Sequence, residues 1–217
     1  MSVTTARIED DFDLLTPVHK ASVRLDVRDL DQIRSSPYHE KEHWLDLTKV
    51  PDTKRVIALA LQSFEPRNEQ YAFDDYDQAF NIPEIVELAR NYAKQLEIEI
   101  EPTSVYVIAF RLILKLEVQA SSENRRFLAK VDKDSHVEAN ESGGLLKYWF
   151  GTPDDVHGKN LATCWWETKE HAKKGGRGKA HREGMTAVRS WFKHWQVEEY
   201  QLNLAKGGES YLFTRVN

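Results

Sequence analysis

Two histidines with a glutamate behind the first, in the run His39-Glu40-Lys41-Glu42-His43, fit the H-E-x-x-H pattern. In that pattern two imidazoles one helical turn apart hold zinc and the glutamate activates a water. The chemistry needs a packed helix and a third ligand. Here Lys41 and Glu42 are both charged, the surrounding segment is polar and no third ligand announces itself. The segment therefore reads as an exposed, capped helix with incidental histidines, and no metal site is assigned.

A second string, Lys173 to Gly178 (KKGGRG), approximates the R/Q-x-x-G-x-G/A loop of GCN5-type N-acetyltransferases, with lysine in the first place. Glycine-rich backbone leading into a helix offers N–H groups to a pyrophosphate such as that of coenzyme A. The loop lies several residues past its strand, and a glycine break between two helical pieces needs no ligand. Acyl transfer from acetyl-CoA thus stands as an alternative, and no cofactor is assigned. His181 follows in the first turn after the glycines, in a helical stripe with Met185, Val188 and Phe192 that faces the core. A positive helix N-terminus lowers its pKa and keeps the imidazole neutral near pH 7, fit for acid/base work. A satisfied histidine at the edge of the core explains it equally well. Arg177 and Arg182 beside it are placed to orient an anionic group of a substrate.

The aromatic residues crowd into two neighbouring segments, LLKYWFG and NLATCWWE. Alternation puts Tyr148 and Phe150 on one face of the first and Trp149 on the other, while Trp165 and Trp166 point to opposite faces of the second. One tryptophan is then core, and the other seals an interface or lines a cavity. Arg111 projects from the less apolar face of a long strand toward the same space. His136, one turn after Asp132, reads as half of a solvated helical pair, and Cys164 as a small core residue.

These side chains need a scaffold, and periodicity supplies one. Ser36 and Pro37 predict a short helix in a weakly periodic arm, residues 1–50, and Arg55 to Phe64 read as a strand. Ile85, Leu88, Ala89, Tyr92 and Leu96 fall at helical spacing behind Pro83. Ser104 to Val118 alternate as a long strand with Tyr106, Ile108, Phe110 and Leu112 on a fully buried face. A helix over 122–142 ends at Gly143-Gly144. The two aromatic segments form a hairpin around TPDDVHGK, two helical pieces meet at GGRG, and QVEEYQLNL closes as a strand. The order strand, helix, strand, strand, helix, strand is the split βαβ order of a ferredoxin-like sheet, over about 104–204 within a single domain of 51–217. Its helices cover one sheet face, so the other must meet a second subunit, an added layer or a ligand.

A chain of 217 residues with 41% hydrophobic content supports a proper core. Its 30 basic and 35 acidic residues give a net charge of −5, which offers no global reason to bind nucleic acid or membrane. No run is long and apolar enough to span a bilayer, and the acidic start lacks the apolar stretch of a signal peptide. A single cysteine agrees with a reducing compartment, so the expected location is the cytoplasm.

The strings YVIAFR, HVEANESGGLLKYWFG, NLATCWWETKEHA and GRGKAHREGM, with LDLTKV and YAFDDYDQAFNI upstream, resemble an uncharacterised fungal protein family over most of the chain beyond Trp44. More remotely, WWETKEHA and KAHREGM are similar to the antibiotic-biosynthesis monooxygenases and related dimeric α+β barrel proteins. That likeness implies a homodimer joined through open sheet faces and a small hydrophobic or aromatic substrate. The expectation is an α+β protein: a ferredoxin-like split βαβ core of the dimeric α+β barrel type, extended by an N-terminal strand-helix unit. Its cavity would be shaped by Tyr148, Trp149, Trp165 and Trp166, with Arg111, Arg177 and Arg182 on substrate and His181 as acid/base. A dimerising interaction protein without catalysis is the further alternative.

Overall fold

A computed structural model of the chain describes residues 27–217 apart from Asp155, and leaves the side chains of Ala187 and Val188 undescribed. The described residues open with a segment in which β1 (Gln32–Arg34) pairs with β2 (Trp44–Asp46). Three helices follow: α1 (Asp52–Ala60), the single turn α2 (Tyr76–Ala79) and α3 (Ile82–Gln95). The predicted helix near Ser36 is instead the turn between β1 and β2, closed by one helical turn, Lys41–His43. The predicted strand over 55–64 is α1. Val56, Ile57, Ala58, Leu59 and Ala60 are all buried, because α1 packs on both sides. A helix with no polar stripe shows no 3.6-residue period, so its apolar run imitates a buried strand.

The remainder carries a five-stranded antiparallel sheet built from β3 (Thr103–Leu114), β4 (Leu145–Phe150), β5 (Lys159–Trp166), β6 (Phe192–Leu204) and β7 (Tyr211–Arg215). The spatial order is β4-β5-β3-β6-β7. Between the strands run α4 (Leu116–Ala120), α5 (Ser122–Ser142), α6 (Lys169–Gly175) and α7 (Lys179–Val188). Without β7, this is the ferredoxin-like arrangement that the element order predicted. The long strand stops at Leu114 rather than at Val118, where α4 takes over.

The sheet face opposite α5–α7 is not open. Val105, Val107 and Ala109 of β3, with Leu161, Trp165 and Leu202, join one core cluster with Ile57, Leu61, Phe80, Ile82 and Ile85 of the N-terminal layer. The most deeply buried face of β3 is therefore this one, while Ile108, Phe110 and Leu112 on the helix side remain partly exposed. Of the three occupants expected for that face, the chain supplies an added layer of its own. Val27, Ile33, Leu45, Leu47 and Val50 are buried in the same cluster, while the segment between β1 and β2 crosses to the helix side. The rest of the expected arm, 1–26, lies outside the described residues.

Candidate functional site

On the helix side, α5 is poor in apolar residues: of its 21 residues only His136 is buried. The space beneath it is filled by polar groups drawn from three parts of the chain. Ser36 Oγ accepts the backbone N–H of Tyr38, Tyr148 N–H donates to Ser35 O at 2.8 Å, and Asn140 Nδ2 donates to Glu42 O and Trp44 O at 2.9 and 2.8 Å. These bonds, with the Lys133–Glu40 ion pair, pin the segment before β2 between β4 and α5. Tyr38 and His43 are thereby carried inward.

Two contacts form the centre. Asp132 accepts hydrogen bonds from both Tyr38 and Tyr148, the latter at 2.6 Å to Oδ1. One turn along α5, His136 Nδ1 lies 2.8 Å from His43 Nδ1. Only one of two neutral imidazoles can donate at such a contact, so one ring carries its proton on Nδ1 and the other on Nε2. Both outer Nε2 atoms are buried without a hydrogen-bond partner, and that of His43 faces the Glu40 carboxylate at 4.0 Å. One is then an unused donor and the other an unused acceptor. Among the described residues no third His, Cys, Asp or Glu completes a metal site around them.

Burial sets the protonation states. It pushes His136 down to about 3, with His43 adding to the shift, and it lowers His43 against the opposing pull of Glu40. Both rings are thus neutral near pH 7. Burial raises Asp132, while the hydroxyls of Tyr148 and Tyr38 and the nearby His181 oppose it. Tyr38 and Tyr148 are raised, chiefly by burial and by Asp132. Burial lowers His181 too, and the charges of Glu138 and Asp132 pull the other way. Asp132 and His181 are the partly exposed members, so the cluster meets solvent on their side.

A family described as PB2B2.08-like matches residues 34–215. The chain belongs to that family. The curated UPF0643 protein PB2B2.08 of Schizosaccharomyces pombe (strain 972 / ATCC 24843) is 52% identical over 210 residues, 96% of either chain. The fungal resemblance carried by GGLLKYWFG and NLATCWW is thus shown. Two solved structures align with a TM-score of 0.36 each. A putative antibiotic biosynthesis monooxygenase from Nitrosomonas europaea is 9% identical, covering 52% of this chain and 89% of that one. Rv0793 from Mycobacterium tuberculosis is 14% identical, covering 45% and 92%.

In this PB2B2.08-like chain the residues expected to form one pocket are dispersed. Tyr148 belongs to the cluster, and His181 lies within electrostatic reach of it. Arg177 and Arg182 are exposed, and Arg182 donates to the carbonyl of Arg177 at 2.7 Å. Arg111 points to the opposite sheet face, where it is buried against Glu198 at 2.9 Å and donates to the carbonyls of Tyr71 and Asp74. Trp165 is core, donating to Tyr76 Oη at 3.1 Å, and Trp149 packs edge-on against Phe64, Tyr71 and Phe80. Trp166 takes the helix face, as alternation required, and packs with Ala172 of α6. Neither His136 nor His43 is solvated, and the HEKEH run holds no zinc-site helix.

The glycine loop is filled from within. Glu138 of α5 accepts the backbone N–H groups of Ala180 and His181 at 2.9 and 3.2 Å, so a carboxylate already occupies the N-terminus of α7 where the acetyl-CoA reading would place a pyrophosphate. Gly178 admits that carboxylate, since a Cβ there would lie 2.1 Å from Glu138 Oε2. Gly175 has a packing role as well, because a Cβ would come within 2.3 Å of the Trp166 ring. Gly175→Ala should therefore destabilise the domain by about 1–3 kcal/mol through overpacking, read as a lowered urea midpoint with unchanged slope.

Proposed function

We propose that this domain binds a small organic molecule beside Asp132 and His181 and moves a proton on it. The observation that carries the reading is the Tyr38–Asp132–Tyr148 cluster set against two buried imidazoles whose outer nitrogens make no hydrogen bond. Unsatisfied buried polar atoms are rare in a purely structural site, and perturbed titratable groups gather where chemistry is done. His181, kept neutral by burial, takes the proton on its ring, and the charge of Asp132 stabilises the imidazolium that forms. The two tyrosine hydroxyls hold Asp132 in place while this happens. In this reading His181 is the acid/base group expected from sequence, and Tyr148, expected to shape a cavity, has the task of positioning Asp132. The work is placed in the cytoplasm, which the single free cysteine supports. A homodimer in this reading uses a surface other than the sheet face, which the N-terminal layer covers.

That filled face favours a second reading, a non-catalytic interaction protein. Native mass spectrometry of the full chain, wild type and Asp132→Asn, separates the two and reports subunit number in the same spectrum. The expected result is an organic mass on the wild type, reduced at least about tenfold in occupancy in the variant. Ligand-free protein whose Tm is unmoved by a panel of aromatic and lipophilic acids would overturn the small-molecule reading and leave the interaction protein.

A further inference from the structure

The two edges of the five-stranded sheet differ. At β4 the segment between β1 and β2 lies alongside, and Tyr148 N–H bonds Ser35 O at 2.8 Å. At the other edge β7 has a neighbouring strand on one side only, β6. Its ladder is bracketed by the bonds from Ala205 N–H to Ser210 O at 3.0 Å and from Val216 N–H to Glu199 O at 2.8 Å. Bonding alternates along an antiparallel pair, so the even-numbered residues face β6, and the N–H and C=O groups of Tyr211, Phe213 and Arg215 point outward. Among the described residues no other backbone meets those three. An unpaired row of this kind is a template for another strand, and natural sequences guard it with proline, lysine or a bulge. The run YLFTR, Tyr211–Arg215, has none of these guards.

The side chains of this edge are exposed as well: Tyr211 at 39%, Leu212 at 60% and Val216 at 44%. Phe213 turns to the N-terminal layer, its ring stacked on those of Tyr76 and Tyr200 at 5.6 and 5.3 Å. Alternation then puts Leu212 and Val216 on the opposite face. Their surroundings there are polar, with Thr214 between them in the strand and Gln201 and Asn203 across in β6. Two aliphatic side chains in that polar row find no apolar partner across the strand pair.

We infer that two copies of this chain pair antiparallel through β7 about a twofold axis at Phe213, joining their sheets edge to edge. Centring the register on Phe213 sets Tyr211 opposite Arg215 of the partner subunit and Phe213 opposite its own copy, and it alone pairs all three outward residues at once. The same register brings Leu212 diagonally beside the partner's Leu212 and the partner's Val216, where neighbours across a strand pair come within reach. The exposed aliphatic side chains of both copies thus form one cluster. The single charge of the strand, Arg215, meets the ring of the partner's Tyr211, which attracts a guanidinium, and stays clear of its own copy. Backbone, apolar and charged groups therefore agree on one self-complementary arrangement, the property of a twofold interface, which an unrelated peptide strand does not supply. This edge is independent of the Asp132 cluster and of any ligand bound there.

The test is sedimentation velocity of the full chain from about 1 to 200 µM, beside amide hydrogen exchange followed by NMR. One strand pair is a small interface, so a reversible dimer with a Kd on the order of 1–100 µM is expected. The amides of Tyr211, Phe213 and Arg215, which bond no strand in a single copy, should exchange more slowly as the concentration rises. Leu212→Lys puts like charges side by side across the axis. Tyr211→Pro removes an outward N–H from each copy and leaves the bonds to β6 in place. Each variant should weaken dimerisation at least about tenfold while keeping the far-UV circular dichroism and the urea midpoint of the wild type. A chain that is monomeric at about 200 µM, a dimer in which those three amides exchange as fast as in the monomer, or a dimer that both variants leave intact would overturn the inference. Growth beyond the dimer would overturn it too, since twofold pairing uses up the edge.

Discussion

Arg111→Met should destabilise the domain by about 3–5 kcal/mol, the scale for removing one member of a buried ion pair. Arg111 and Glu198 are each 5% exposed and 2.9 Å apart. Loss of the guanidinium leaves the Glu198 carboxylate with the hydroxyl of Tyr200, the amide of Gln196 and the half-exposed Arg215 at 3.7 Å, and the carbonyls of Tyr71 and Asp74 lose the donors it gave them. Those two carbonyls belong to the loop that lies over the sheet, so the same change should loosen the loop. The check is urea unfolding beside limited proteolysis, with cleavage expected to rise within residues 65–75. Arg111→Met with Glu198→Leu should recover part of the loss, because the stranded charge is gone while the two carbonyls still lack donors. If the single variant unfolds at the wild-type midpoint, the pair is not the clamp between sheet and N-terminal layer that its geometry implies. Such a residue carries a functional-looking charge for structural reasons, which is why sequence alone placed it on a substrate.

The ferredoxin-like core was legible because its strands alternate and its helices are bounded by punctuation that has one physical meaning. Gly143 and Gly144 end α5 with positive φ, and the Thr168 side chain caps α6. In the N-terminal layer α3 was legible from its helical spacing behind Pro83, but α1 was not, because the run Val56 to Ala60 is apolar and buried on every side and nothing local separates it from a buried strand. The cluster was hidden for a different reason. His43 and His136 are 93 residues apart, and Tyr38 and Asp132 are 94 apart. Only the fold brings them together. One signal was nevertheless present in the sequence. A helix running through VDKDSHVEAN with so few apolar residues cannot bury an apolar face, so polar groups such as Asp132 and His136 must occupy what it covers. That deduction reaches His136 and Asp132 and stops short of their partners.

Lowering the pH should destabilise the protein steeply between about 6.5 and 3, and the His43–His136 pair should account for much of it. His136 has a folded pKa of about 3 against an ordinary 6.5, and His43 is also lowered, each chiefly by burial. The unfolded chain therefore binds protons in this window that the folded chain refuses, so stability falls as pH falls and is complete only above 6.5. From the His136 shift alone the loss is about 3 kcal/mol by pH 4. Asp132 acts in the opposite sense: its pKa is raised, so its contribution is fully present below the ordinary carboxylate range and is lost as pH rises through the folded value. Replacing both rings by phenylalanine removes the titration and keeps a flat aromatic ring at each place. His43→Phe with His136→Phe should therefore flatten the slope of unfolding free energy against pH by about 3 kcal/mol between pH 7 and 4. Either single replacement strands the remaining Nδ1, which costs about 1–3 kcal/mol at pH 7. The pair also ties the segment carrying Tyr38 to α5. Acid should thus release that segment first and expose Asp132 and Tyr148, giving proteolytic cuts within residues 35–46 before global unfolding. A pH slope unchanged in the double variant would show that the acid sensitivity lies elsewhere, and would return the two imidazoles to ordinary packing.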